Sequence, residues 1–304
     1  MDYIIREIRP EDDRAVEQII RFCLKEYGGD REGTAWCDPD LGRFSALYQG
    51  EGRRYWVALD EAGAVVGGSG IGPLEGVEGV CELQKMYCLP IARGTGAAHR
   101  LMERCLDYAA QHYRTCYLET FGNMAAAQRF YAKYGFVRLD EPMGGTGHWS
   151  CDVWCARGLN GPLILPYTRD RVGDVLDFER RLRAEEDFWG WEIDGAYTAA
   201  VERSFSDPRF ANARSLLAYV DGAVVGRIDS TLICSRFDGS VKAYLDWICV
   251  LKSQRHRGTA RALMEELRRR LKGAGADTLI GLIAANPEAQ RFYRSLEGAK
   301  IRDE

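Results

Sequence analysis

The sequence predicts an α/β protein made of one mixed-sheet unit written twice in tandem, the second copy truncated after its last helix. Three observations carry that prediction. AQRFY occurs as Ala127–Tyr131 and again as Ala289–Tyr293, 162 residues on. Leu101-Met102-Glu103 returns at the same spacing as Leu263-Met264-Glu265, and this register pairs Arg93 with Arg255, Gly96 with Gly258 and Ala98 with Ala260. Both halves then read Arg-x-x-Gly-x-Ala, whereas matching Arg93-Gly94-Thr95 to Arg257-Gly258-Thr259 would slip the following helices by two residues. Finally, GAVVG at 63–67 returns at 222–226, 159 residues on, which implies three extra residues in the second copy before its next strand. At 304 residues the chain is long enough for two domains.

Each half reads strand, helices, hairpin, strand, helix, strand, helix. In the first, YIIREI (3–8) is a strand, and Glu11-Asp12-Asp13 open a helix whose positive end they suit. GAVVG belongs to a hairpin, and in the second copy Asp221-Gly222 between LLAYV and AVVG is a two-residue turn signal. ELQKMYCLP (82–90) is strand-like and runs into a helix over 95–112, whose apolar stripe is Ala98, Leu101, Met102, Cys105 and Ala109. The second copy answers with Ala260, Leu263, Met264, Leu267 and Leu271, leaving RRRLK (268–272) as a solvated face. The break Gly158-Leu159-Asn160-Gly161-Pro162 separates a domain over 1–157 from one over 163–304. The chain continues only through AKIRD after the second AQRFY, so the second domain lacks a final strand that the first makes near WSCDVWC. Trp189 and Trp191 in DFWGWEIDGAY sit two apart and cannot share a helical face; packing explains them better than an acceptor wall does.

Composition narrows the partners. Apolar residues make up 46% and charged residues 28%, enough for cores and a solvated surface, and a net charge of -4 offers no cationic face to a nucleic acid. No apolar run is long enough to span a membrane and the acidic N-terminus is unlike a secretory signal, so a cytoplasmic protein, monomeric or homodimeric, is expected. Cys81, Cys88, Cys105, Cys116, Cys234 and Cys249 fall in apolar periodic segments and read as buried free thiols. His148, Cys151 and Cys155 raise a metal question, but strand alternation and the want of a second pair favour core cysteines, and no metal is expected.

A strand running into a glycine-containing turn at a helix start presents several backbone N–H groups in one direction, which makes an anion site. Gly96 lets a phosphate approach the backbone, Ala98 keeps the first turn uncluttered and Arg93 can add a charge-assisted contact, so a pyrophosphate fits. The dinucleotide G-x-G-x-x-G and the phosphate loop G-x-x-x-x-G-K-[ST] are both absent from these turns.

The order strand, R-x-x-G-x-A, helix, strand, A-Q-R-F-Y helix resembles the GNAT superfamily of acyl-CoA-dependent N-acetyltransferases, twice over and across nearly the whole chain. The resemblance implies acetyl-CoA as donor and a small primary amine as acceptor. It implies that the turns Arg93-Gly94-Thr95-Gly96-Ala97-Ala98 and Arg255-His256-Arg257-Gly258-Thr259-Ala260 hold the coenzyme pyrophosphate. It implies that backbone groups of Met86 and Cys88, and of Ile248 and Val250, pair with the pantetheine arm, with Asn123 and Asn286 near it. The second copy keeps the family's Asn-x-x-Ala as Asn286 and Ala289; the first has Met124 there and Asn123 one position earlier.

Acetylating an amine needs a neutral nucleophile, a donor for the oxyanion and a proton for the departing thiolate. The family's strand glutamate lies four positions before the first pantetheine-pairing residue, which implies Glu82 as base; Glu119 on the next strand is the second candidate. Alternation places Glu82, Gln84, Met86 and Cys88 on one face unless a bulge intervenes. A backbone N–H near Met86 or Tyr87 is the implied oxyanion donor, and Tyr131 the implied acid, with Tyr293 its counterpart. In the second copy the base position is Tyr244, with Asp246 the nearest carboxylate, so that domain is expected to bind coenzyme or serve structure while the first does the chemistry. An acyl-CoA-binding protein without turnover, or an acyltransferase to a thiol or hydroxyl, are the alternatives.

Overall fold

The computed structural model describes residues 3–186, 192–284 and 286–301. Contacts divide the chain into Met1–Asn160 and Gly161–Glu304. The first unit runs β1 (Ile4–Glu7), α1 (Asp13–Glu26), α2 (Phe44–Leu47), β2 (Arg54–Leu59), β3 (Val65–Pro73), β4 (Val80–Cys88), α3 (Ala97–His112), β5 (Thr115–Thr120), α4 (Ala125–Lys133), β6 (Val137–Arg138) and β7 (Val153–Gly158). Its seven strands lie in the order β1-β2-β3-β4-β5-β7-β6. All neighbours are antiparallel except β4 and β5, which α3 joins as a parallel crossover.

The second unit repeats this frame as β8 (Leu163–Pro166), α5 (Val172–Glu185), α6 (Gly195–Ser204), β9 (Ala213–Val220), β10 (Ala223–Cys234), β11 (Val241–Val250), α7 (Thr259–Gly273), β12 (Thr278–Gly281) and α8 (Pro287–Arg294). Its sheet has the order β12-β11-β10-β9-β8, again with one parallel pair, β11 with β12. Counterparts of both β6 and β7 are missing among the described residues, one strand more than expected, because residues 299–301 of AKIRD are irregular. Trp189 and Trp191 lie outside the described residues.

The repeat arithmetic holds strand by strand. Gly67 pairs with Cys88 and Gly226 with Val250, 21 and 24 residues apart, and the three extra residues lengthen the strands of the β10–β11 hairpin, two in β10 and one in β11, while six residues connect the strands in each copy. α3 begins at Ala97 and α7 at Thr259, which keeps the 162 offset and rules out the two-residue slip. Asp221 and Gly222 close the β9–β10 hairpin with φ of 49° and 78°, the left-handed pair that matches the strands' right-handed twist.

Two apolar layers sandwich the first sheet. On one side α3 sets Leu101, Met102, Cys105 and Ala109 against it, all fully buried and worth about 2 kcal/mol for each long side chain. Ala97, rather than Ala98, takes the buried place at its start, as Thr259 does rather than Ala260 in α7. On the other side Val16, Ile20 and Leu24 of α1 meet Phe44, Tyr48 and Tyr55. The Tyr55 ring covers β3, where a Cβ on Gly68 or Gly70 would stand 2.7 or 2.6 Å from it. All ten cysteines are free thiols; Cys234, read as apolar core, is exposed at the end of β10.

Candidate active site

β4 and β5 are hydrogen-bonded only at Val80–Thr115, Cys81–Cys116 and Glu82–Tyr117. Beyond Glu82 they part, and β4 turns an unpaired edge toward the opening while its other edge stays on β3. Between Gly68 and Gly70 on β3, which pair with Tyr87 and Gln84, β4 carries one residue more than its partner. The bulge centres on Lys85, whose φ of 52° is unusual for a residue with a side chain. The Tyr55 hydroxyl steadies it by donating to the Lys85 carbonyl at 3.1 Å.

This bulge corrects the alternation read from the sequence. Cys81 and Leu83 face the α3 layer, and after the extra residue so do Met86 and Cys88, while Tyr87 turns to the α1 layer. Glu82 and Gln84 therefore share a face with each other and not with Met86 and Cys88. Glu82 is 8% exposed and accepts a hydrogen bond from Gln84 Nε2 at 2.8 Å; Gln84 Oε1 accepts in turn from the Tyr48 hydroxyl at 2.7 Å. Burial raises the Glu82 pKa above its ordinary value; Gln84, Lys85 and His148 pull against the rise and Glu119 adds to it.

Glu119, the other base candidate, stands at the same place. Its carboxylate, that of Glu82 and a ring nitrogen of His148 lie within 4.8 Å of one another. Both Glu119 oxygens are engaged at 2.7 Å, by the Tyr117 and Thr146 hydroxyls, which leaves Glu82 the less encumbered of the two. His148 thus joins the carboxylates rather than the cysteines it neighbours in sequence: Cys155 is in the core. The Lys85 ammonium lies 2.5 Å from Asp38 and 3.1 Å from His148 Nε2, which is itself 3.0 Å from Asp38. Burial would raise Asp38, but His148 and Lys85 outweigh it and hold its pKa at about 2.

At the far end of β4 a 3-10 turn, Pro90–Ala92, leads to α3, with Gly96 as N-cap at φ 101°. The N–H groups of Ala97, Ala98 and His99 have no acceptor within the helix. A Cβ on Gly94 or Gly96 would meet nothing within 4 Å, and both glycines line a cavity of about 290 Å³ with Ala98, His99, Phe130, Arg129 and Lys133. Gly258 repeats the cap at φ 82°, and His256 takes the left-handed place of Gly94 at φ 62°. A coenzyme pyrophosphate fits the first turn: open glycine backbone, helix N–H groups and two cations on α4. Arg129 and Lys133 escaped the sequence reading, although Arg129 is the third letter of AQRFY and Lys133 stands one helical turn after it.

Arg93, expected to add a contact to the pyrophosphate, is not among the residues that line this cavity. Its guanidinium donates to both Glu26 carboxylate oxygens at 2.7 and 2.6 Å, and Nε donates to the Cys88 carbonyl at 2.9 Å. Arg255 repeats the clamp with Glu186 and the Val250 carbonyl. The repeated arginine thus ties the end of the splayed strand to the helix beside it. Arg93→Ala is expected to cost about 1 kcal/mol in denaturant unfolding and to leave coenzyme affinity within about twofold.

The asparagines also have structural work. Asn286 Oδ1 caps α8 by accepting from Ala289 N at 2.8 Å, and Asn123 Nδ2 donates to the Tyr27 carbonyl at 3.1 Å. Tyr131 is 9% exposed, packed on Phe130 and Phe136, and burial raises its pKa well above the ordinary phenol value. Tyr293 is half-buried and its pKa is raised for the same reason. Ile248 lies beyond the last β11–β12 pair, as Met86 lies beyond the last β4–β5 pair.

The acetyltransferase (GNAT) family profile matches residues 15–136 and again 176–297. The chain belongs to this family. It is similar to the uncharacterized N-acetyltransferase YjgM of Escherichia coli (strain K12), 38% identical over 159 residues, a match taking in 51% of this chain and 95% of that protein. It is also similar to the uncharacterized N-acetyltransferase C1271.07c of Schizosaccharomyces pombe, 27% identical over 134 residues, 44% of this chain and 80% of that protein. Among solved structures, a GNAT-family acetyltransferase from Staphylococcus aureus Mu50 is 21% identical, covering 52% of this chain and 99% of its own, with a TM-score of 0.47. Each of these corresponds to about half of this chain, which is a tandem GNAT acetyltransferase. No helix among the described residues is long and apolar enough to cross a membrane.

Proposed function

We propose that the first GNAT copy transfers an acetyl group from acetyl-CoA to a primary amine of a small acceptor, with Glu82 as base and Tyr131 as acid. The observation that carries this reading is Glu82 itself: a nearly buried carboxylate at the apex of the opening between β4 and β5, held by Gln84, with its pKa raised by burial. Acetyl-CoA would supply an acyl group activated as a thioester. Gly94, Gly96 and the first N–H groups of α3 would hold its pyrophosphate, with Arg129 and Lys133 alongside.

An amine with a pKa near ~10 arrives as ammonium and must lose a proton to become a nucleophile. Glu82 takes it, directly or through one water, and its raised pKa makes it a better base near neutrality than an ordinary carboxylate. A backbone N–H of the bulge, at Met86 or Tyr87, donates to the carbonyl oxygen as charge grows there. Tyr131, kept protonated by burial, delivers a proton to the leaving sulfur. The second copy keeps the glycine turn and Tyr293 but has Tyr244 at the base position, which supports coenzyme binding there without this chemistry.

Release of free thiol from acetyl-CoA by the full chain, across a panel of primary amines, tests the reading. Amine-dependent release that Tyr131→Phe slows by about tenfold or more, with the KM for acetyl-CoA little changed, is the expected result. Coenzyme binding with no release for any amine would leave an acyl-CoA-binding protein instead.

A further inference from the structure

Three glycines of β3, Gly68, Gly70 and Gly72, alternate along one face of the strand, and each makes room for a side chain beside Glu82. A Cβ on Gly68 would stand 2.7 Å from the Tyr55 ring, and one on Gly70 would stand 2.6 Å from Tyr55 and 2.8 Å from the Tyr48 ring. One on Gly72 would stand 2.8 Å from Gln84 Oε1. Gly70 pairs across β3 and β4 with Gln84, and Gly72 with Glu82. The second copy has neither the bare strand face nor the glutamate. Thr231 pairs there with Tyr244 as Gly72 pairs with Glu82, and counting from Gly226, which answers Gly67, sets Arg227 and Asp229 at the places of Gly68 and Gly70.

Tyr48, at the end of α2, is 4% exposed, its ring centre 5.6 Å from that of Phe44 and 5.2 Å from that of Tyr55. A buried phenol O–H needs an acceptor, and Tyr48 donates to Gln84 Oε1 at 2.7 Å. Burial, and then the charge of Glu82, raise the Tyr48 pKa, so the hydroxyl keeps the proton it donates. This contact decides which end of the Gln84 amide meets which neighbour. With Oε1 engaged by Tyr48, Nε2 is left to donate to Glu82, at 2.8 Å. Turned over, the amide would set Oε1 against the carboxylate, two acceptors face to face unless Glu82 were protonated, and would leave the Tyr48 O–H facing a donor.

We propose that Tyr48 is a positioning residue for Glu82: by holding the Gln84 amide in one orientation, it makes the ionised carboxylate the form its neighbours match, and so sets the pH range over which Glu82 accepts a proton. Its consequence for turnover rests on Glu82 being the base. After burial, which raises the Glu82 pKa, the Gln84 hydrogen bond is the next strongest influence and opposes the rise. Losing it lets the pKa climb further. The other titratable groups facing Glu82 are Lys85 on its own strand, Cys116, Tyr117 and Glu119 of β5, and His148 and Cys151 of the loop before β7. Removing the Tyr48 hydroxyl leaves all of these in place.

A double-mutant cycle on the full chain, followed by pH titration, tests this. The Glu82 carboxyl is read by carbon-13 NMR in protein labelled at glutamate Cδ, assigned by the signal that Glu82→Gln removes, and the acid limb of kcat/KM for amine acetylation is measured alongside. Tyr48→Phe keeps the ring and its packing and is expected to move the Glu82 titration upward by about one pH unit, and Gln84→Met to move it at least as far. Added to Gln84→Met, Tyr48→Phe should shift it by less than about 0.3 unit, because the hydroxyl acts through the amide. The acid limb should follow the titration. A Glu82 titration unmoved by Tyr48→Phe, or moved as far in the Gln84→Met protein as in the parent, would overturn the proposal. A titration that moves as expected while the acid limb stays in place would uphold Tyr48 as the residue that positions Glu82 and remove Glu82 from the proton transfer, so the two ideas fail separately.

Discussion

Glu82→Gln is expected to lower the rate of amine acetylation by roughly 10²–10⁴ at neutral pH. Glutamine keeps the shape and can still accept from Gln84, so the fold and the neighbouring Tyr48–Gln84 hydrogen bond have no reason to change. What disappears is the proton acceptor. Because burial raises the Glu82 pKa, the parent enzyme should lose activity as pH falls through that raised value and recover it as pH rises. In the variant this limb is absent, and the rate climbs only as the amine deprotonates itself toward its own pKa near ~10. A pH profile of kcat/KM for both proteins reads the difference directly. If Glu82→Gln is silent and Glu119→Gln is not, the base is Glu119, whose carboxylate lies within 4.8 Å of the same centre.

Much of this site was legible because a repeat is its own control. One Arg-x-x-Gly-x-Ala turn is a common helix start, but two in register fixed the helices, and Gly96 and Gly258 both adopt the left-handed cap. What stayed illegible depended on partners distant in sequence. Nothing local marks Arg93 as a clamp, since Glu26 lies 67 residues away. His148 reads beside Cys151 and Cys155 because sequence distance favours that grouping, yet its loop carries it to Glu82 and Glu119 from two other strands. The bulge was foreseen only as an exception to alternation. Its cause is the extra residue of β4 opposite β3, where glycines admit the Tyr55 ring that holds the Lys85 carbonyl.

Gly96→Asp is expected to weaken coenzyme A binding at the first copy by about 100-fold or more, close to 2.7 kcal/mol. A Cβ there has nothing within 4 Å, so the substitution displaces no neighbour; the φ of 101° strains any side chain, aspartate less than most. Its effect is electrostatic: it sets a carboxylate beside the N–H groups that α3 leaves without acceptors, where a pyrophosphate would otherwise lie. Gly94→His is the matched control, because His256 already occupies the same left-handed place in the second copy, and it should keep most of the affinity. Titration calorimetry of the parent should give about two sites per chain, with Gly258→Asp removing the second as Gly96→Asp removes the first. A single site indifferent to Gly258→Asp would confine coenzyme to the first copy. Unchanged affinity in Gly96→Asp would mean that the start of α3 is not where the pyrophosphate is held.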